Sequence, residues 1–495
     1  MQFNKNDSNN NNLIYAKKNV LILILILLLF LLKDFAKSSL YNYIYQKLQE
    51  NDFLNKENKN CNKYDPVFLM AERFKKYPVT ICNNDESNHI CYQNSKFSYY
   101  NRISRIKYGV ICLSHDFILD PSKSNQSNYI YKGPIDKLNR GSPILFKGFF
   151  NMKCQIKNRF KKNHMIYNNY FQAWNYSSEI NDKDIKELAP GKTIFFISRN
   201  QDSPNIYHGI SEIINAISIM YLFDLNPEDI QVVFLESMEL KNDPFFDLYK
   251  LIISRGGEPI HIKSLNKKYH ITSAIHIPIN WDSPLFIELN IPNGYPVCKY
   301  STQTYNLLNN LINKYIIIPS FKDSFASDKE TFYYPKSTIQ NFKLNNSFNK
   351  TITIQWRKVW PKGRKFQYRI LGNGQELADK LSSIIPKNYL IRLVDTASLS
   401  IIQQISIMRK TDYLIGVHGA GLSLSIFMPP QSVLYEILPK KNIKVLVLMS
   451  ALSGHKIYSD IVKSTRKIIN DNEVYYFDLN DFEEKVIKHL KENGF

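Results

Sequence analysis

Acidic residues are the under-represented class in this chain: 44 Asp and Glu stand against 64 Lys and Arg, leaving a formal charge of +20. That deficit gives a surface that attracts polyanions, membranes or phosphorylated substrates, without choosing among them. Also missing is a basic element with interleaved aromatics, which a nucleic-acid interface needs. Short clusters such as Lys157-Asn158-Arg159-Phe160-Lys161-Lys162 occur, but most of the charge is spread along the chain and reads as solvated surface. No nucleic-acid partner is expected. No internal repeat is found, and only one long apolar run. Cysteines number six (Cys61, Cys82, Cys91, Cys112, Cys154 and Cys298), none before that run. Their even number permits up to three disulfides, whose pairing the sequence does not give, or buried free thiols.

What is present begins with the apolar run itself. Val20 to Leu32 is unbroken Val, Ile, Leu and Phe between Lys17-Lys18 and Lys33. It rises only about 20 Å, short of a ~30 Å hydrocarbon core, so flanking lysines would snorkel or the membrane be thin, as early secretory membranes are. The expectation is a signal anchor over 20–32, a polar cytosolic tail over 1–19, and a stem over 38–60. The basic pair places the N-terminal end in the cytosol, so the expectation is a single-pass type II protein of the Golgi or endoplasmic reticulum membrane, its mass lumenal. A cleaved signal peptide competes through the weak site Ala36-Lys37-Ser38, but Lys33-Asp34 interrupt it. Sequons at Asn125, Asn175, Asn345 and Asn349 fall beyond the run, where an acceptor requires a lumenal location.

With 495 residues the chain exceeds what one core serves, so two domains are expected after the anchor. Aromatics at 13% and hydrophobic residues at 44% suffice for large sheet cores. From about Cys61 to Phe342 strand and helix alternate: Thr193–Ser198 and Gln231–Leu235 read as strands, Ile210–Phe223 as a helix. That alternation is the grammar of a parallel α/β sheet. Asn341 to Lys350, polar and aperiodic, reads as the linker between domains at 61–342 and 351–495. The second set comprises strands at Thr351–Trp356, Tyr389–Val394, Asp412–Val417 and Val433–Ile437. Helices are expected at Gln375–Ile385 and Leu399–Arg409, with another opening at Leu422–Phe427.

The chemistry concentrates at Asp412 to Leu422. An apolar strand ends at His418, the chain turns through Gly419, Ala420 and Gly421, and a helix opens at Leu422. Ligands of open α/β sheets bind beyond the carboxyl ends of strands. A Gly-rich turn lets N–H groups approach a phosphate, and the helix start adds roughly half a positive charge. This is a diphosphate cradle; equally, the glycines could merely permit the turn while His418 caps it. Other strand ends of this domain also carry polar groups. Glu436 could accept from ribose hydroxyls. Arg357 could pair with a phosphate, and Arg369 lies in the next loop. Asn373 and Glu376 are close to a capping box, and Glu376 could both cap and bind. Gln404 reads as a packing or solvent residue, and Asp412 as a local structural one.

The stretch from Thr411 to Pro439, with His418-Gly419-Ala420-Gly421-Leu422, Phe427-Met428-Pro429-Pro430 and Glu436-Ile437-Leu438-Pro439, resembles glycosyltransferase family 61. Arg357, Arg369 and Asn373-Gly374-Gln375-Glu376-Leu377 resemble its Arg…Arg-x-x-Asn…Glu-Leu pattern, with Gly372 loosening the spacing. Asn205 to His208, Glu212 and Asp229 to Leu235 resemble the plant-type branch, so the resemblance runs from about Lys192 to Pro439. It implies a GT-B fold: two Rossmann-like domains facing a cleft, the second holding the nucleotide sugar. It further implies inverting transfer from a UDP-sugar to a glycan or glycoprotein acceptor. UDP-xylose is favoured by the plant-type resemblance, with UDP-GlcNAc as runner-up. Donor-binding residues would be Arg357, Arg369, Asn373, Glu376, His418, Gly419, Ala420, Gly421, Leu422 and Glu436. Inversion needs a general base and leaving-group stabilisation. His208 or Glu212 is the candidate base, with a helix cap or a dipole-stabilising acid as the bland alternatives. No cofactor is required; no Asp-x-Asp motif lies near the site, and a divalent metal is possible but not expected. A different class of function on the same fold is a lumenal glycan-binding protein without turnover.

Overall fold

The computed structural model describes residues 65, 67, 79–83, 87–93, 110–125, 144–157, 170, 172–177, 185–198, 205–235, 243–277, 301–317, 330–345, 348–358, 369–439 and 447–494. Contacts divide the chain into Met1–Lys56 and Glu57–Phe495, and every described residue belongs to the second unit. The expected tail, anchor and stem at 1–60 lie outside the described residues. Among the described residues, no helix is long and apolar enough to cross a membrane.

The first large sheet is built from β1 (Val79–Asn83), β2 (Asn88–Gln93), β3 (Val110–Leu119), β6 (Phe150–Met152), β7 (Trp174–Tyr176), β8 (Thr193–Ile197), β9 (Ile230–Phe234), β10 (Ile260–His261) and β11 (Tyr269–Ile277). Between β3 and β6, β4 (Ser124–Asn125) and β5 (Ile144–Leu145) form a separate two-stranded ribbon. The strand order is β1-β2-β3-β11-β8-β9-β10, with β6 paired to β3 and β7 paired to β6. This corrects the expectation of a parallel sheet throughout this half. β1, β2, β3 and β11 pair antiparallel, as do β3 and β6, while β11, β8, β9 and β10 run parallel, as does the short pair β6 and β7. The four residues between β1 and β2 allow a hairpin, whereas parallel neighbours need a crossover of a dozen or more. Helices α1 (Ile206–Leu222) and α2 (Phe246–Ile252) supply the crossovers from β8 to β9 and from β9 to β10. Disulfides Cys91–Cys112, joining register partners on β2 and β3, and Cys82–Cys154 fasten the antiparallel part. Cys61 and Cys298 lie outside the described residues.

After α3 (Gln303–Tyr315) the second half begins with β12 (Phe332–Tyr333) and α4 (Lys336–Asn345). The helix occupies half of the stretch expected to be an aperiodic linker. It carries no Pro or Gly to stop it and packs on α5 (Gly374–Ile384). Strands β13 (Lys350–Gln355), β15 (Tyr389–Val394), β16 (Tyr413–Val417), β17 (Val433–Leu438) and β18 (Lys456–Ile461) complete a sheet ordered β12-β15-β13-β16-β17-β18. All its pairs are parallel except β12 with β15. The chain moves from β13 outward to β15, then returns to lay β16 on the other side of β13. That reversal is a topological switch point, where open α/β sheets hold their ligands. Helices α6 (Ile401–Met408), α7 (Val447–Leu452) and α8 (Leu479–Glu492) complete this half. A small sheet of β14 (Ile370–Leu371), β20 (Asn472–Phe477) and β19 (Ser464–Ile469), absent from the sequence reading, is set beside it.

Two details show why these segments fold as they do. Ser400 and Gln403 close a reciprocal capping box at the start of α6. Arg392 on β15, fully buried, donates to Thr353 Oγ1 at 2.9 Å, Thr411 Oγ1 at 3.0 Å and the Ile407 carbonyl at 2.8 Å near the end of α6. Burial lowers the pKa of this guanidinium to about 10, and a cation at a helix carboxyl end is favourably placed. Asp412 accepts from Thr351 N at 2.7 Å and ties β16 to the start of β13.

Candidate active site

The switch point lies between the ends of β13 and β16, and both ends carry polar side chains. β16 delivers His418 and the turn Gly419-Ala420-Gly421. The chain then winds into a 3-10 helix, Ala420–Phe427, rather than the α-helix expected from Leu422. Leu422 N is bonded to Gly419 O at 3.0 Å; the N–H groups of Ala420 and Gly421, both partly exposed, come before it. Opening N–H groups of a helix have no intrahelical acceptor. They are the donors that the cradle reading needs.

Arg357, two residues past the end of β13, lies directly over this turn. A Cβ on Gly419 would run into Nη1 of Arg357, and one on Gly421 into the amide of Gln355. The glycines therefore serve close approach; Gly419, at φ 172°, is simply extended and demands no special backbone conformation. Gln355, which sequence reasoning passed over, donates to Thr396 Oγ1 at 2.9 Å and so joins the ends of β13 and β15 to the turn. Its signal was a carboxamide closing an otherwise apolar strand end, two positions before Arg357.

Glu436 is placed differently from the ribose reading. It lies on β17 between β16 and β18, in register with Gly416 and Ser459, and is fully buried. One carboxylate oxygen meets His418 Nδ1 at 2.5 Å and the other accepts from Ser459 Oγ at 3.0 Å. Both oxygens are thus occupied within the protein. With Nδ1 engaged, Nε2 is the His418 nitrogen left to face other partners.

Arg369 adopts φ 65°, a left-handed conformation that L-residues other than Asn and Asp seldom take. Leu371 N bonds to Arg357 O at 3.0 Å and Gly372 N to Tyr475 O at 2.8 Å, so the backbone is clamped on both sides just after it. These bonds bring the chain at Arg357 and at Arg369 together. Asn373 sits at the N-cap position of α5 without a capping bond from its side chain. Its amide instead pairs with the Phe477 backbone, at 2.8 Å to the carbonyl and 3.0 Å from the N–H. Glu376 is exposed in the first turn of α5, and its charge helps raise the Tyr333 phenol behind burial and Asp379. Gln404 donates to Leu399 O at 2.8 Å, a local bond.

On the other half, Asn205 caps α1 by accepting from Tyr207 N at 3.1 Å. His208 is half-buried in the first turn and Glu212 is buried one turn further on. This α1 packs directly on the 3-10 helix that follows Gly419, so the elements bearing the candidate base and the cradle meet. Helix α3 binds the arrangement. Tyr305 Oη donates to Met428 O at 2.8 Å, and Thr302 Oγ1 to Leu452 O at 2.9 Å. Among the described residues one cluster has metal-ligand spacing, His89, Cys91 and Cys112, but its two sulfurs are joined to each other and offer no thiolate.

The Glycosyltransferase 61 family model matches residues 290–435. The matched stretch includes the switch point, Arg357, Arg369 and the Gly419 turn, and stops one residue before Glu436; His208 and Glu212 lie outside it. The chain is similar to the EGF domain-specific O-linked N-acetylglucosamine transferases of Rattus norvegicus and Mus musculus, 29% identical to each over 93 residues. The similar stretch is 18% of this chain and 17% of each relative, so the chain spans about a sixth of the length of the curated relatives it matches.

Proposed function

We propose that this chain is an inverting glycosyltransferase, moving a sugar from a UDP-sugar to a glycan or glycoprotein acceptor. The observation that carries the reading is the Arg357 guanidinium laid over the Gly419 turn, at the switch point and inside the stretch that matches the family. A diphosphate there would meet a planar cation and the N–H groups of Ala420 and Gly421 together. His418 would add its Nε2, with Glu436 as a positioning residue behind it rather than a ribose ligand. Arg369 would supply a second cation beside Arg357. Asn373 and Glu376 would act by holding and starting α5.

In the reaction the acceptor hydroxyl attacks the anomeric carbon while its proton passes to a base on α1, His208 or Glu212. The bond from that carbon to the diphosphate oxygen breaks, and UDP departs with the electron pair. Arg357 and the turn then stabilise the charge that develops on the leaving oxygen. These steps use the chain's own cations. The GT-B reading assigns the first large sheet to an acceptor-side domain and the second to the donor. The names of the two relatives support UDP-GlcNAc, and the plant-type resemblance supports UDP-xylose. Two disulfides and the sequons support folding in an oxidising, lumenal compartment of the secretory pathway, with the apolar run 20–32 as membrane anchor.

The test is thermal denaturation with UDP, UDP-xylose and UDP-GlcNAc, since a ligand selective for the native state stabilises it by about 3 kcal/mol at a hundredfold excess over its Kd. At least one nucleotide should raise Tm in the wild type and not in Arg357→Ala. A shift by none, or a full shift in the variant, removes the donor site. Stabilisation without UDP release on any acceptor would favour the reading without turnover.

A further inference from the structure

The first sheet carries a second concave site on its other edge. β8, β9 and β11 run parallel, and α1, which bears the candidate base, follows the carboxyl end of β8. At the edge where these strands start, beside Lys268 just before β11, a pocket of about 440 Å³ opens between β3, β6 and β7. That volume is within the ~300–1,000 Å³ of ordinary ligand sites. Three lysines line it: Lys123, Lys147 and Lys268. The one carboxylate, Asp120, is buried and already engaged. Its Oδ1 accepts from Ser122 N at 3.1 Å and Ser122 Oγ at 2.5 Å, and its Oδ2 lies 3.7 Å from Lys268 Nζ. Three ammonium groups against one carboxylate leave two positive charges. Among the described residues, Lys123 and Lys147 have no carboxylate within ion-pair distance.

Two carboxamides complete the wall. Asn175 Nδ2 donates to Asn151 Oδ1 at 3.2 Å, and Asn151 Nδ2 donates to Gly148 O at 2.5 Å. This relay fixes both amides and leaves Asn175 with an acceptor oxygen and a second N–H, a pair that suits neighbouring hydroxyls. Ile118 and Ile185 give the pocket an apolar component.

We propose that this pocket binds an acidic sugar unit, a carbohydrate bearing a carboxylate, sulfate or phosphate, at a site separate from the donor. Lys123 and Lys147 take the anion, and Asn175 takes ring hydroxyls. Such a site would hold an anionic glycan on the transferase without taking part in the reaction, and it stands whether or not the transferase reading does.

Calorimetric titration of the full chain at low salt should show binding of glucuronate and glucose 6-phosphate, with glucose and inorganic phosphate each at least tenfold weaker. The double variant Lys123→Ala/Lys147→Ala, at exposed positions, should lose at least tenfold in affinity for both acidic sugars with Tm unchanged. Arg357→Ala should bind them as the wild type does. The proposal fails if neither acidic sugar binds at millimolar concentration or if the double variant binds them undiminished. It also fails if inorganic phosphate matches glucose 6-phosphate, which would mean a bare anion site. Asn175 belongs to a sequon, and a glycan found on it by mass spectrometry would occupy the pocket and equally overturn the proposal.

Discussion

Gly419 and Arg357 interact through the absence of a side chain on the glycine. The atom that Gly419→Ala adds lands on the far end of a flexible side chain, which can swing away, so the fold should survive while the guanidinium leaves its place. The variant is expected to keep its Tm and lose at least tenfold in UDP-sugar affinity, measured by titration; unchanged affinity would mean the guanidinium position is immaterial. Glu436 behaves differently because it is buried between His418 and Ser459. Removing one partner of a buried hydrogen bond leaves the other unsatisfied, at a cost of about 1–3 kcal/mol. Glu436→Ala should therefore lower stability in denaturant titrations as well as donor binding, and loss of binding alone would contradict the buried pair.

At the scale of the element, α3 is the fastening between the halves. Its first turn engages a buried carboxylate, with Asp65 accepting from Thr304 N at 3.1 Å and from Val67 N at 2.9 Å. Burial raises the Asp65 pKa, against hydrogen bonds from Thr304 that lower it. The same helix reaches Met428 through the Tyr305 hydroxyl. Tyr305→Phe leaves the Met428 carbonyl without that donor and should cost about 1–3 kcal/mol, read as a fall in urea midpoint at constant slope. An unchanged midpoint would show that the bond adds nothing to the fastening. Strand β16 was legible beforehand because a strand buried on both faces is written as a continuous apolar run. The direction of β1, β2 and β3 was not, since alternation within a strand is the same whichever way its neighbour runs.

At the scale of the whole molecule, pH and redox conditions set stability. His89, His276 and His455 are buried, and burial lowers their pKa values: to about 3 for His89, to about 4 for His455, and well below the ordinary range for His276. The unfolded chain binds protons near pH 6.5 where the folded one does not. Stability from these residues is thus complete above pH 6.5 and declines as pH falls towards 4 and 3. The slope is about 1 kcal/mol per pH unit for each histidine. Denaturant titrations between pH 7 and 4.5 should show it, and flat stability over that range would contradict neutral burial. Reduction opens loops with sequence separations of 72 and 21, and chain entropy assigns them about 4 and about 3 kcal/mol. Dithiothreitol should accordingly lower Tm.

The sequence alone determined the parallel strands β8, β9, β13, β15, β16 and β17, where the chain turns through glycine, and that Arg357 follows a strand end, because local pattern and spacing encode these. It also led to the family that matches at 290–435. Only the tertiary structure decided that Arg357 rests on Gly419, that Gln355 completes the turn, and that Glu436 faces His418 instead of a ribose. The contacts of Arg357 and Glu436 join residues 62 and 18 positions apart, and β13 meets β16 only after the chain has visited β15. No local period carries that information: it arises when the strands are laid side by side.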